Sequence, residues 1–434
     1  MRPPDQILAR GRDRNDAAHG VTAHRRDRAS RRGTAAPPLD WLILGGGVHG
    51  VHVATRLLGE GGVSSQTLRI VDPAPVLLAR WRACTAVTGM THLRSPAVHH
   101  VDVRPLSLRH FVGGRKRPRR RGLFAAPFAR PSLPLFDAHC DHVIRTYGLD
   151  DLHVPARAST CVVGGRTVAV ELSDGRVLEA RRIVLALGTS EQPRWPDWAD
   201  PAHPRVHHIF QPNFDGWPAD RGERVAVIGG GISALQTALR LAREGHHATV
   251  VCRHPLRQQQ FDSDRAWLGP KRMLAFHRER DPDRRRALID EARPGGSAPP
   301  EVIRAFRRAV ARREVTWRRQ GIVDVGYGAD EVFLRLEGAP DVFGFDRVLL
   351  ATGFSPARPG GAMVDHLIAS ASLPCARCGY PVVDWALRWH PRVHVTGPLA
   401  ELELGPTARN IAGARRAGAR LTAFLRARSA ATTA

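Results

Sequence analysis

The chain has 434 residues, of which 43% are hydrophobic, and a formal net charge of +24. This length is too great for one compact core and fits two domains. No uninterrupted apolar stretch reaches the roughly 18 residues of a membrane span, and the basic residues are scattered with few aromatics among them, so neither a membrane nor a nucleic-acid partner is expected.

The N-terminal segment, residues 1–38, is rich in arginine, aspartate and alanine and has no apolar periodicity. It predicts a disordered basic arm. Because the segment also lacks the apolar centre of a signal peptide, we expect a cytoplasmic protein whose six cysteines are reduced. The densest basic run, RKRPRRRG at Arg115 to Gly122, predicts an exposed loop.

Two stretches share one pattern of apolar strand, glycine-rich turn and amphipathic helix: LILGGGVHGVHVATRLL from Leu42 and VAVIGGGISALQTALRL from Val225. In such a turn a pyrophosphate lies on backbone N–H groups at a helix N-terminus, where a Cβ would block its approach. The repetition predicts two dinucleotide-binding units. The residues predicted to serve the two turns are Gly45, Gly47 and Gly50 in the first, and Gly229, Gly231, Ser233 and Ala234 in the second.

The second strands of the two units end differently. LRIVDPAP ends in Asp72, whose carboxylate would accept hydrogen bonds from a free ribose, which points to FAD. ATVVCRHPLR has no acid at its end but carries Arg253, with Arg257 nearby, and a guanidinium suits the 2′-phosphate of NADPH. The alternative is that Asp72 is an ordinary turn residue and Arg253 is solvated.

Further elements follow the two turns in the chain. TVAVELSDGRVLEARRIVLALGT predicts a hairpin that turns at Asp174 and Gly175 and ends in a buried strand, and Ser190 to Arg205 predicts an irregular domain crossing. Two charged helices are split by RPGGSAPP, and a second meander ends in FDRVLLATGF. GPTARNIAGARRAGARLTAFLRAR predicts a C-terminal helix with Pro406 near its first turn.

We therefore predict an α/β fold with two Rossmann-like, three-layer dinucleotide-binding domains, the NADPH domain being inserted into the FAD domain. The predicted boundaries are 1–38 for the basic arm, 39–190 for the first part of the FAD domain, 191–345 for the NADPH domain, and 346–434 for the second part of the FAD domain with the C-terminal helix.

The arrangement resembles the flavin-dependent N-hydroxylating monooxygenases of the lysine and ornithine type, within the flavoproteins that have two dinucleotide-binding domains. Besides the glycine turns, the resemblance rests on GMTHLRSPAVHHVDVRPLSLRHF, from Gly89, and on DRVLLATGF, from Asp346. It implies that Leu93 lies near FAD. It also implies that the C-terminal helix points its N-terminus at the flavin, so that the FAD-binding residues include Gly405, Thr407 and Asn410.

The resemblance implies an NADPH- and O₂-dependent monooxygenase that hydroxylates an amine through a flavin C4a-hydroperoxide, a chemistry that needs no metal and no dedicated nucleophile. We assign no catalytic residue, and the oligomeric state stays open. The first alternative is a flavin reductase or disulfide oxidoreductase, for which Cys375 and Cys378 in CARC are the candidate dithiol. The second is a nucleic-acid or partner-binding protein with a degenerate flavin fold, using the basic arm and Arg115 to Arg121.

Overall fold

The computed structural model describes residues 37–113, 122–212, 214–217 and 222–433, with side chains up to residue 427. The predicted basic arm, up to residue 36, and the arginines of the predicted loop at 115–121 lie outside the described residues. The chain from Pro38 onward forms one unit. None of the helices in the described ranges is long and apolar enough to cross a bilayer.

The described residues form strands and helices in alternation. The strands are β1 (Leu39–Leu44), β2 (Leu68–Asp72), β3 (Phe124–Ala125), β4 (Arg130–Pro131), β5 (His153–Pro155), β6 (Ala158–Val163), β7 (Val168–Leu172), β8 (Val177–Leu185), β9 (Val206–His208), β10 (Arg224–Ile228), β11 (His247–Val251), β12 (Arg257–Gln258), β13 (Ser297–Ala298), β14 (Val315–Arg318), β15 (Ile322–Tyr327), β16 (Val332–Leu336), β17 (Val342–Phe345), β18 (Arg347–Leu350), β19 (Arg388–His390) and β20 (Val393–Val395). The helices are α1 (Val48–Gly59), α2 (Ala79–Val87), α3 (Ser107–Phe111), α4 (Leu133–Thr146), α5 (Ile232–Arg243), α6 (Pro270–Arg278), α7 (Pro282–Ala292), α8 (Pro300–Ala311), α9 (Gly361–Ala371), α10 (Glu401–Leu404) and α11 (Ile411–Thr433).

The first sheet has the strand order β19-β20-β8-β1-β2-β5, and β1 runs parallel to both β2 and β8. Its central strand is buried on both faces, as parallel strands are. Trp41 and Ile43 enter a core shared with α1 and α4, whereas Leu42 and Leu44 enter a core shared with α9. The sheet is therefore the middle of three layers.

Two features of this sheet were predicted and are confirmed. The strands β7 and β8 pair antiparallel around a turn at Asp174 and Gly175, where Gly175 has a φ of +83°. The strand β20 lies beside β8 although the whole second sheet separates the two strands in sequence. The second unit is thus inserted into the first.

The second sheet has the order β14-β11-β10-β18-β9, and all its pairs are parallel. Helices α5 and α8 cover one face, and the meander β15-β16-β17 covers the other. Strand β18 lies beyond the predicted boundary at residue 345 but pairs with β10. We therefore propose that the NADPH domain ends after Leu350.

Residues between β12 and β13 form a small helical unit that the sequence pattern indicates only in part. Helix α7 starts as predicted, with Pro282 in its first turn and the Asp281 carboxylate capping it. Helix α6 was not predicted. It carries Met273 and Phe276 into a cluster with Tyr380 and Leu402, which belong to the chain after the second sheet.

Candidate functional site

The first glycine turn follows β1 at the carboxyl edge of the first sheet. A Cβ on Gly45, whose φ is +115°, would lie 2.5 Å from the Ala186 carbonyl oxygen, and one on Gly50 would lie 1.8 Å from the Gly45 carbonyl oxygen. These two glycines are thus required by packing. A Cβ on Gly47 would meet no atom within 4 Å. Gly47 therefore faces open space at the start of α1, where a pyrophosphate would lie.

Asp72 closes the same turn from the end of β2. Its Oδ2 accepts a hydrogen bond of 2.6 Å from the Gly46 amide, and its Oδ1 accepts one of 2.9 Å from the Ala74 amide. Each carboxylate oxygen has a second lone pair, so the group can still accept from a ribose hydroxyl. The carboxylate both shapes the turn and stands where the sequence predicted the ribose partner.

The C-terminal segment reaches the same edge of the first sheet, but its helix starts later than predicted. Helix α11 begins at Ile411, five residues after Pro406, because Asn410 caps it by accepting a 3.0 Å hydrogen bond from the Gly413 amide. Residues 405–410 form two successive turns instead. The hydroxyl of Thr407, which is buried, accepts from Arg416, and Gly405 has a φ of +74°.

His49 joins the first turn to this C-terminal segment. Its Nδ1 lies 2.9 Å from the hydroxyl of Thr396, which directly follows β20. Its Nε2 is buried and has no hydrogen-bond partner among the described residues. Burial lowers the pKa of His49 to about 4, against the opposing influence of the Arg409 and Asn410 carbonyls. His49 therefore offers a neutral imidazole nitrogen at the turn, and no sequence motif had indicated it.

Leu93 lies in the core and not at the open face of the turn. It is 1% exposed, and its amide donates to the Pro131 carbonyl. The next residue, Arg94, reaches the other unit: it donates to the Gln259 and Gln260 carbonyls and to the Ser297 hydroxyl. The family-like segment around Leu93 thus anchors residues near the second turn, which its sequence alone did not indicate.

The second glycine turn repeats the geometry of the first at its first and third positions. A Cβ on Gly229 would lie 2.6 Å from the Ala351 carbonyl oxygen, matching Gly45 and Ala186. Ala234 is fully buried against Gly229, so alanine satisfies the packing role of the third glycine. Ser233 lies in the first turn of α5 and is half-buried.

Arginines gather at the carboxyl ends of two neighbouring strands of the second sheet. Arg253 follows β11 and is exposed, and Arg257 donates a 3.0 Å hydrogen bond to the Gly295 carbonyl. Arg318 ends β14 directly opposite Val251, and Arg319 follows it. The last two were missed because only strand pairing brings such distant segments of the chain to one edge. The edge is strongly basic and suits a phosphomonoester.

The cysteines are all free. Cys375 and Cys378 lie exposed on a loop held against α7, where the Arg377 amide donates to Asp283. Burial raises the pKa of the Cys375 thiol. Cys252 lies beneath the second turn, and burial raises the pKa of its thiol as well. Neither glycine turn therefore faces an activated thiolate.

Comparison with protein families agrees with this geometry. A family described as FAD-NAD(P)-binding matches residues 42–190, and one described as pyridine nucleotide-disulphide oxidoreductase matches residues 165–280. One of the subunits of alkyl hydroperoxide reductase from Xanthomonas campestris pv. phaseoli is 29% identical over 123 residues, which are 27% of this chain and 22% of that protein. The match thus spans less than a quarter of that curated relative.

Solved structures resemble the chain over most of its length. The cadaverine monooxygenase of Erwinia amylovora, solved with FAD, has a TM-score of 0.70 at 15% identity, covering 90% of this chain and 94% of its own. The ornithine hydroxylase of Pseudomonas aeruginosa has a TM-score of 0.70 at 16% identity, covering 90% and 99%. A bacillithiol disulfide reductase of Staphylococcus aureus has a TM-score of 0.61 at 15% identity, covering 90% and 99%.

The two turns, the two parallel sheets and these matches define the class: the chain is an FAD- and NAD(P)-binding oxidoreductase with two dinucleotide-binding domains. The resemblance to N-hydroxylating monooxygenases predicted from the sequence is confirmed at the level of the fold.

Proposed function

We propose that this flavoprotein is an NADPH-dependent monooxygenase that hydroxylates the nitrogen of a small amine. The observation that carries the proposal is the chemical inequality of two otherwise similar turns. The first is open and carries the Asp72 carboxylate, which suits the ribose of a resident FAD. The second ends in Arg253 and Arg257 without a carboxylate, which suits NADPH.

FAD fits the first turn on the evidence of the open face of Gly47, the acceptor oxygens of Asp72 and the unpartnered Nε2 of His49. When bound, FAD would take a hydride from NADPH and deliver the electrons to O₂. The overall reaction balances as R–NH₂ + O₂ + NADPH + H⁺ giving R–NHOH + NADP⁺ + H₂O.

The chain's own part is binding and orientation. The N-terminus of α1 holds the diphosphate, and Asp72 holds the ribose. The turns from Gly405 to Asn410 lead into the N-terminus of α11, whose amides would face the flavin and stabilise negative charge on the reduced ring. His49 ties these two elements together through Thr396.

The amine and O₂ are the proposed small-molecule partners. Support comes from the two amine-acting enzymes among the similar structures, at TM-scores of 0.70. We place the protein in the cytoplasm because its six cysteines are free.

A disulfide reductase is the second candidate, favoured by one of the matching families and by the bacillithiol enzyme. It requires a dithiol that can exchange electrons with the flavin. The CARC loop of Cys375 and Cys378 packs against α7, away from the glycine turns. The position of these thiols therefore favours the monooxygenase.

One experiment separates the two. The FAD-loaded protein is mixed with NADPH and O₂ in the presence of ornithine, lysine or cadaverine, and hydroxylamine product and H₂O₂ are both quantified. We expect amine-dependent hydroxylamine that persists in the Cys375→Ser/Cys378→Ser double variant. H₂O₂ alone with every amine, together with NADPH-driven reduction of a small disulfide that the double variant abolishes, would establish the reductase instead.

A further inference from the structure

The two glycine turns differ in what lies above their second glycine. A Cβ on Gly47 would meet nothing within 4 Å, whereas a Cβ on Gly231 would lie 3.3 Å from the Cα of Gly296. Gly296 belongs to residues 293–298, the segment that runs from the end of α7 through β13, which we call the cover. The backbone of the cover thus occupies the space through which a pyrophosphate would approach Gly231.

The cover leaves the binding amides of the second turn unused. Helix α5 begins after Gly231 without a side-chain cap, and the amides of Gly231 and Ile232 donate to no acceptor among the described residues. Such amides at the start of a helix are an anion site. The cover therefore excludes the ligand without replacing its hydrogen bonds.

The cover is held by few contacts, and one comes from a residue at the basic edge. Arg257 donates a 3.0 Å hydrogen bond to the Gly295 carbonyl, and its strand pairs with Ser297–Ala298. From the first unit, Arg94 donates to the Ser297 hydroxyl at 3.2 Å. On its outer side, a Cβ on Gly295 or Gly296 would meet nothing within 4 Å, so the segment has room to move outward.

We propose that the cover is a lid over the second dinucleotide site, latched by Arg257, and that the 2′-phosphate of NADPH opens it by taking the Arg257 guanidinium from the Gly295 carbonyl. The inference rests on the proposed function, which assigns NADPH to this turn. Arg257 is then a specificity-determining residue that acts partly through the lid.

Two acceptors compete for the Arg257 guanidinium. Its bond to a phosphate dianion is roughly twice as strong as one to a neutral carbonyl. A ligand can shift a two-state equilibrium only by its differential affinity for the two states. NADPH gains the Arg257 contact in the open state alone, whereas NADH, which lacks the 2′-phosphate, must open the latched lid without that compensation.

The test uses the oxidised, FAD-loaded protein and measures Kd for NADP⁺ and NAD⁺ by calorimetry. Arg257→Gln removes the latch and the phosphate partner together. We expect NAD⁺ to bind about tenfold more tightly to this variant, the effect of releasing one charged hydrogen bond, and the preference for NADP⁺ to disappear. Arg253→Gln is the matched control: it removes an exposed arginine from the same edge that does not bond the cover, so NAD⁺ affinity stays unchanged.

A second variant and a second readout guard against loss of folding at position 257. Ser297→Ala loosens the anchor to Arg94 without touching either arginine, and we expect both nucleotides to bind more tightly. Hydrogen exchange of the amides at 295–297 should rise when 2′,5′-ADP is added to the unmodified protein but not to Arg257→Gln.

The outcomes separate the lid from the site beneath it. If Arg257→Gln leaves NAD⁺ affinity unchanged and 2′,5′-ADP leaves exchange of the cover unchanged, Arg257 is an ordinary phosphate contact and the lid is wrong, while NADPH binding stands. If neither nucleotide binds the unmodified protein or Ser297→Ala, the proposed NADPH site fails and the lid fails with it.

Discussion

Asp72 shows how one side chain can serve both the fold and the ligand. Its carboxylate binds the amides of Gly46 and Ala74, which lie on either side of the turn edge. The same carboxylate is the expected acceptor for the FAD ribose. Its two roles are separable, because the amide bonds are present whether or not a ribose is bound.

Asp72→Asn should weaken FAD binding by about tenfold, because a neutral amide oxygen is a weaker acceptor than a carboxylate and only one of the two atoms can now accept. The measurement is flavin fluorescence quenching on titration of the apoprotein. Asp174→Asn, in the exposed hairpin turn, is the control and should leave the Kd unchanged. Equal affinity of Asp72→Asn and the unmodified protein would remove Asp72 from the site.

Which single residues were predictable follows from how local their role is. Asp72 was found because strand-end acids follow glycine turns at a regular spacing. His49 was not found, because its partner Thr396 lies 347 residues away in sequence. Arg94 was missed for the same reason, since its acceptors Gln259 and Ser297 belong to the other unit.

At the scale of elements, each glycine of a turn has its own task. Gly50 is excluded from change by the Gly45 carbonyl, whereas Gly47 has an ordinary φ of −75° and open space. Packing and ligand binding are therefore assigned to different positions of the same motif. This separation permits a direct test.

Gly47→Ala should leave the melting temperature of the apoprotein unchanged and weaken FAD binding by at least about tenfold, because the new methyl group would occupy ligand space alone. Gly50→Ala should destabilise the apoprotein by roughly 1–3 kcal/mol through backbone overlap. Thermal unfolding and flavin titration of both apoproteins check this pair. Destabilisation by Gly47→Ala as large as that by Gly50→Ala would contradict the assignment.

The C-terminal helix illustrates the limit of prediction for elements. Its existence was predictable from composition, but its start was placed near Pro406, and it begins at Ile411. Proline is tolerated in a first turn, so the sequence permitted either start. The cap by Asn410 and the two turns before it determine which one is used.

Across the whole molecule, buried neutral histidines are a shared feature of both units. The fully buried ones include His52, His100, His139, His208 and His394. Burial lowers the pKa of His139, His208 and His394 to about 4 and that of His100 to about 3, and it holds that of His52 well below its usual value. The folded protein therefore resists protonation at pH values where the unfolded chain accepts protons.

The consequence is loss of stability in mild acid. Below about pH 6.5 the unfolded chain binds protons at these histidines, and the folded protein does so only near pH 4, so the free energy of unfolding should fall between these limits by up to about 1.4 kcal/mol per pH unit for each histidine. Urea unfolding at a series of pH values measures the slope. His139→Gln should reduce it by up to one proton, while His366→Gln, exposed on α9, should not. An unchanged slope in His139→Gln would contradict this origin of the acid sensitivity.

The sequence by itself determined what depends on local pattern: two strand–turn–helix units, the packing glycines, the acid after one strand and the arginines after the other, and the insertion of one unit into the other. These follow because glycine turns and apolar periodicity are written within about thirty residues. Tertiary structure alone decided that Gly296 lies over Gly231 while Gly47 stays open, and that His49 meets Thr396. Those relations depend on how segments distant in sequence pack at one sheet edge, and identical turn motifs therefore present different surfaces to their ligands.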